Sequence, residues 1–242
     1  MLPIVRAAVL GALAVLAFAP VPEAAAAAQT TTVKIHNARS GKIYVAYTAP
    51  DQKPGAITWG KGCQKLKGGV AIARGKTCTA TVVNNDEATR FCADTKSVPK
   101  NCYQAQTRHQ TMVETNFQPS TASGCFGKGR CVWYDISVIP ANCTDEAWTK
   151  NRCAGTGGAS YNLPVSVACG GTTEYTCRGP QTTKYGSARY PAKCGNPDAT
   201  CSGGNDPKCL NAYFYPMSGM NPQPNTVCLS GKPLTIRFLG GA

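Results

Sequence analysis

Glu114 and Asp135 stand in strand-like runs, "TMVETNFQ" (residues 111–118) and "VWYDISVI" (residues 132–139). Most other acids lie in turn-like settings: Asp86 and Glu87 in "NNDE", Asp198 in "NPDA", Asp206 in "GNDP". There, turn preference and solvation explain them. Two carboxyls on neighbouring strands are a pair suited to acid–base work, of which glycoside hydrolysis is one form. A glycosidase needs a pair about 5–5.5 Å or 6.5–9.5 Å apart, one holding a proton as general acid. Glu114 would be the acid and Asp135 the nucleophile or base. Strand spacing does not supply the separation, so enzyme activity stays open and the leading reading is binding. On the second strand Val132, Tyr134, Ile136 and Val138 share one face; Trp133, Asp135, Ser137 and Ile139 share the other. This predicts Tyr134 on the core side and Trp133 beside Asp135 in a polar groove, placed to stack on a sugar ring. The alternative makes Asp135 a structural ion-pair partner.

Other chemistries have less support. His36 lies in the first strand and His109 in "QTRHQT", with no nucleophile motif near either. There is no C-x-x-C pair, so neither a metal site nor a cofactor is expected. The loop "CFGKGRC" (residues 125–131) reads as a disulfide-closed hairpin rather than an anion-binding tip.

The elements that must position these residues are short strands broken by turn chemistry, which predicts an all-β fold. Val33 and Ile35, then Ile43, Val45 and Tyr47, alternate on either side of Asn37–Gly41 and predict an opening hairpin. "GVAIA", "TCTATVV" and "TRFCA" are further strands, and "NTVCLSGKPLTIRF" predicts a closing hairpin. "NCTDEAWTKNRC" suits a helical turn. "ASYNLPVSVAC" is extended, and from Cys169 to Cys209 the chain is Gly-, Pro- and Cys-rich with little periodicity and reads as a strandless part of a subdomain held by disulfides.

The first 28 residues read as a signal peptide: one Arg, an apolar run, prolines and small alanines. The domain then spans 29–242, with a sandwich core over about 30–140, 160–168 and 210–242 and the disulfide-rich subdomain over about 141–209. Secretion is expected, or a periplasmic location in a bacterium. Fourteen cysteines, all beyond the leader, imply seven disulfides in an oxidising compartment. The formal charge of +13 is spread thinly, with no run of four basic residues. That excludes a nucleic-acid partner and leaves attraction to an anionic wall or membrane surface open. A monomer is expected.

The chain resembles the thaumatin-like proteins (the thaumatin and osmotin superfamily) from about Thr31 to Phe238. The resemblance rests on fragments in order: "VKIHNARSGKIYVA", "TMVETNF", "WYDISVI" with "YNLPVSV", "CLNAYFYPM" and "TVCLSGKPLTIRF". It implies a flattened β-sandwich with a disulfide-rich loop and short-helix subdomain, and a cleft between them lined in many members by one Arg, one Glu and three Asp. Residue by residue, Arg90, Glu114 and Asp135 match; Pro140 and Ser218 stand where the other two Asp would fall. The ligand-binding set is therefore Arg90, Glu114, Asp135 and Trp133. The implied function is binding of cell-wall polysaccharide of the β-1,3-glucan class with a defence or antifungal role. The alternatives are weak endo-β-1,3-glucanase activity, or a basic membrane- or wall-active protein with no sugar site.

Proximity and the resemblance together imply Cys63–Cys78, Cys92–Cys102, Cys125–Cys131, Cys143–Cys153, Cys169–Cys228, Cys177–Cys209 and Cys194–Cys201. Cys63–Cys78 and Cys125–Cys131 have no secure family counterpart. A further family bridge, between the first hairpin and the last strand, would fall at Arg39 and Leu239, where both cysteines are absent.

Overall fold

The computed structural model describes residues 29–49, 56–102, 110–120, 125, 129–139, 143–153, 161–170, 172–178, 194, 211–213, 224–229 and 231–240. The leader, His109, Pro140, Cys201, Cys209 and Ser218 lie outside the described residues, as does most of the expected subdomain.

Among the described residues, thirteen strands form two sheets. The first seven are β1 (Thr30–Asn37), β2 (Ile43–Thr48), β3 (Ile57–Trp59), β4 (Gln64–Leu66), β5 (Gly69–Ile72), β6 (Thr77–Val83) and β7 (Ala88–Asp94). β8 (Met112–Gln118), β9 (Cys131–Ser137), the helical turn α1 (Asp145–Thr149), β10 (Val165–Cys169), β11 (Thr172–Cys177), β12 (Asn225–Leu229) and β13 (Leu234–Phe238) follow. The six-stranded sheet runs β11-β10-β13-β1-β6-β3 and the seven-stranded sheet β12-β9-β8-β7-β2-β5-β4. Only the β1–β13 pair is parallel among the strand pairs described. The fold is all-β and disulfide-rich, as expected.

Alternation decides which face each strand buries. Val33 and Ile35 of β1, Phe91 of β7, Val113 and Phe117 of β8, and Tyr134 and Ile136 of β9 are buried in one core cluster with Ile236 and Phe238 of β13. Each such side chain contributes about 1.5–3 kcal/mol of burial. In α1, Trp148 turns into the same core, and Thr144 caps the helix by accepting from the Ala147 amide.

Neither expected hairpin forms. β1 already pairs with β6 on one edge and β13 on the other, so no edge remains for β2, which crosses to the second sheet between β5 and β7. Asn37 makes this crossing possible. It is fully buried, and its amide donates to Gly41 O at 2.8 Å and Ile72 O at 2.9 Å, while Oδ1 accepts from the Arg39 amide at 3.0 Å. The chain end repeats the device: β13 is flanked by β1 and β10, and β12 pairs with β9 in the opposite sheet. The segment expected to be strandless contributes β11, which pairs with β10 through a bulge between Val167 and Ala168.

Disulfides join Cys63–Cys78, Cys92–Cys102, Cys125–Cys131, Cys143–Cys153 and Cys169–Cys228, all pairs named above. Cys177, however, is bonded to Cys194, so neither Cys177–Cys209 nor Cys194–Cys201 is present. Strand β11 is the reason: it sets Cys177 opposite Val165 and into the core, where Cys194 is also fully buried. Spacing along a cysteine-rich segment does not reveal such a choice.

Candidate functional site

The outer face of the seven-stranded sheet carries one lateral row. Antiparallel register sets Thr48 of β2 opposite Arg90 of β7, Arg90 opposite Glu114 of β8, Glu114 opposite Asp135 of β9, and Asp135 opposite Asn225 of β12. Directly opposed residues have Cβ atoms about 4.5–5.5 Å apart, so these side chains interact. Two residues along, Asn116 opposes Trp133, and Trp133 opposes Val227. Arg90, Glu114, Asn116, Trp133, Asp135 and Asn225 are among the residues lining a groove of about 320 Å³. Every member of the expected ligand set is thus brought together. Tyr134 is buried at 1% exposure, and Trp133, half-buried, lies on the groove side.

Arg90 Nε donates to Glu114 Oε1 at 2.6 Å, and both side chains keep 25% of their surface exposed. A pair so open to water contributes at most about 1 kcal/mol; its main effect is to fix where the negative charge sits. Asp135 differs. Its Oδ1 is out of reach of solvent and has no hydrogen-bond partner among the described residues, although part of the residue lines the groove. Burial raises the Asp135 carboxyl well above its ordinary range, the Glu114 charge raises it further, and the Arg90 guanidinium offsets only part of this. Asp135 is thus the carboxyl that burial and its neighbour favour in the protonated form, while Glu114 is the one that Arg90 holds.

The row also includes residues that sequence reasoning missed. Asn225 Nδ2 donates to the Tyr213 hydroxyl at 2.9 Å. Tyr213 is clamped to the end of β9, its amide donating to Ile136 O and its carbonyl accepting from the Val138 amide. Burial, and the nearby Asp135, push its phenol well up. Tyr213 lies within the "CLNAYFYPM" fragment, which was a signal of sorts. Nothing local marks Asn225 or Asn116; only register does. His36 sits in the other sheet, its Nδ1 3.0 Å from Thr77 Oγ1. No cluster of three or more His, Cys, Asp or Glu that could hold a metal occurs among the described residues.

Chemically, the groove offers a guanidinium, two carboxyl groups, two carboxamides and an indole. These are donors and acceptors for hydroxyl groups beside an apolar platform. Register sets the two carboxyl-bearing residues directly opposite each other, the neighbour relation that a glycosidase pair requires. Glu114 is, however, already engaged by Arg90.

No family model and no curated protein matches the sequence. Among solved structures, the chain is similar to the protein elicitor MoHrip2 from Magnaporthe oryzae, at 10% identity and a TM-score of 0.37, over 86% of this chain and 98% of that one. It is likewise similar to the thaumatin-like xylanase inhibitor TLXI, at 11% identity and a TM-score of 0.39, over 85% and 97%. The chain resembles the thaumatin-like proteins, and its two sheets and cystines give it the disulfide-rich β-sandwich that this resemblance implies.

Proposed function

We propose that the chain is an exported, defence-type thaumatin-like protein that holds a cell-wall polysaccharide of the β-1,3-glucan class in this groove. The observation carrying the reading is the unbroken row Arg90–Glu114–Asp135–Asn225, with Trp133 one step away on the same face. Sugar hydroxyls bridge the row, and one ring lies on the indole. The cystines favour an oxidising destination, and the basic charge aids capture at an anionic wall surface. The test is co-sedimentation of the mature chain with insoluble β-1,3-glucan. Retention that drops sharply in Trp133→Ala is expected; a wild type that stays in the supernatant overturns the proposal.

A second reading, weak endo-β-1,3-glucanase activity, is favoured by the raised Asp135 carboxyl directly opposite Glu114. Here Asp135 would protonate the leaving oxygen and Glu114 would act as base or nucleophile. Reducing-sugar release decides it. Equal release by wild type and Glu114→Gln removes the enzyme reading and leaves binding intact.

A further inference from the structure

We propose a second binding site, for an acidic oligosaccharide, at the mouth of the sandwich where β1 and β9 begin and β12 ends. A cavity of about 360 Å³ opens there, within the range of about 300–1,000 Å³ usual for ligand sites. Among the described lining residues three are cations, Lys34, Arg130 and Lys232, and none is acidic. Thr30 and Thr32 add hydroxyls. The cavity shares no lining residue with the groove around Asp135.

Both sheets and the arch between them build this site. Lys34 stands on the outward face of β1, in the six-stranded sheet. Arg130 immediately precedes β9 in the seven-stranded sheet, next to the Cys125–Cys131 bridge. Lys232 lies on the arch from β12 to β13. Gly231 turns that arch at φ +83, a left-handed conformation that glycine adopts without strain. The Cys169–Cys228 bridge and the Gly170 amide, which donates to Pro233 O at 3.1 Å, hold the arch in place. A Cβ on Gly170 would lie 2.8 Å from Lys232 Cδ, so the lysine stem packs over this glycine and its ammonium is directed rather than free to wander.

No ion pair joins Lys34, Arg130 or Lys232 to an acid among the described residues. Three positive charges lining one cavity repel one another, and an anion relieves that repulsion. Arginine supplies a two-pronged contact to a carboxylate or phosphate, and the lysines supply point charges. The polar lining and threonine hydroxyls suit a sugar carrying such groups. A bilayer is disfavoured: Leu66 is the exposed large hydrophobic among the described residues, and it lies on β4, at the opposite edge of the sheet from β9 and β12.

The experiment is calorimetric titration of the full mature chain at low salt with tri-galacturonate. Neutral β-1,3-glucotriose, inorganic phosphate and phosphatidylserine vesicles form the other arms. Tri-galacturonate should bind, and Arg130→Ala should weaken it about tenfold. The triple variant Lys34→Ala/Arg130→Ala/Lys232→Ala should abolish binding while retaining the wild-type circular dichroism and glucan co-sedimentation. A charge-matched variant on the far edge, Lys61→Ala/Lys65→Ala/Lys67→Ala, should bind as wild type does. Equal weakening in both triple variants means diffuse charge attraction and overturns the site. Tighter binding of phosphate alone, of the neutral trisaccharide or of vesicles overturns the ligand assignment.

Discussion

Arg39 Nη1 donates a hydrogen bond to Leu239 O at 3.1 Å, across 200 residues of chain. These are the positions where the family resemblance places a disulfide that this chain lacks. The contact extends the parallel ladder between β1 and β13: the Ala38 amide donates to Phe238 O at 2.9 Å, and a Cβ built on Gly240 would lie 3.8 Å from Arg39 Cα. A polar contact therefore closes the chain where a cystine otherwise would. Arg39→Cys combined with Leu239→Cys should form a bridge in an oxidising host and stabilise the fold by about 2–4 kcal/mol. Thiol titration and urea unfolding check both halves of this statement.

Asp135 should make stability depend on pH in an unusual direction. Its folded carboxyl holds a proton well above the range in which the unfolded chain releases it. Between those two values the native state binds more protons than the unfolded state, so stability falls as pH rises through that window. Asp135→Asn removes the penalty. The variant should match wild type below about pH 4, the ordinary aspartate range, and exceed it increasingly above. Urea unfolding across pH 3–8 is the measurement, and a variant weaker than wild type at neutral pH contradicts it.

Glu114→Gln tests the coupling between the two acids. Its charge is one reason the Asp135 carboxyl is raised, so Asp135 should titrate lower in the variant. Carbon NMR of the side-chain carboxyls reads this directly. Stability should change by no more than about 1 kcal/mol, because the lost pair with Arg90 is partly solvated.

Trp133 is the apolar platform of the groove, whereas Tyr134, its neighbour, belongs to the core. Trp133→Ala should cost about 1–2 kcal/mol in glucan binding with little loss of stability. Tyr134→Ala should instead cost about 3–5 kcal/mol in stability, as for other large buried aromatics. Co-sedimentation and thermal unfolding, run on both variants, separate the two roles.

The Cys169–Cys228 bridge ties β10 of one sheet to β12 of the other over 59 residues. Replacing both by serine should cost about 2–5 kcal/mol and loosen the arch that carries Lys232. Denaturant midpoints report the first effect, and the tri-galacturonate titration reports the second.

By itself the sequence determined many of the strands, β8 and β9 among them, and the face those two bury. Alternation at β8 and β9 put Phe117, Tyr134 and Ile136 in the core and Glu114, Trp133 and Asp135 outside it, because a period of two is a local property of extended chain. Tertiary structure alone decided which strands meet. The same alternation serves a hairpin within one sheet or an arch between two, and the choice fell to edges already occupied on β1 and β13 and to the buried amide of Asn37. That choice delivered Asn225 to the end of the polar row and Cys177 to Cys194. It also raised the Asp135 carboxyl, since burial and a neighbouring charge are matters of distance through space, which residue order does not encode.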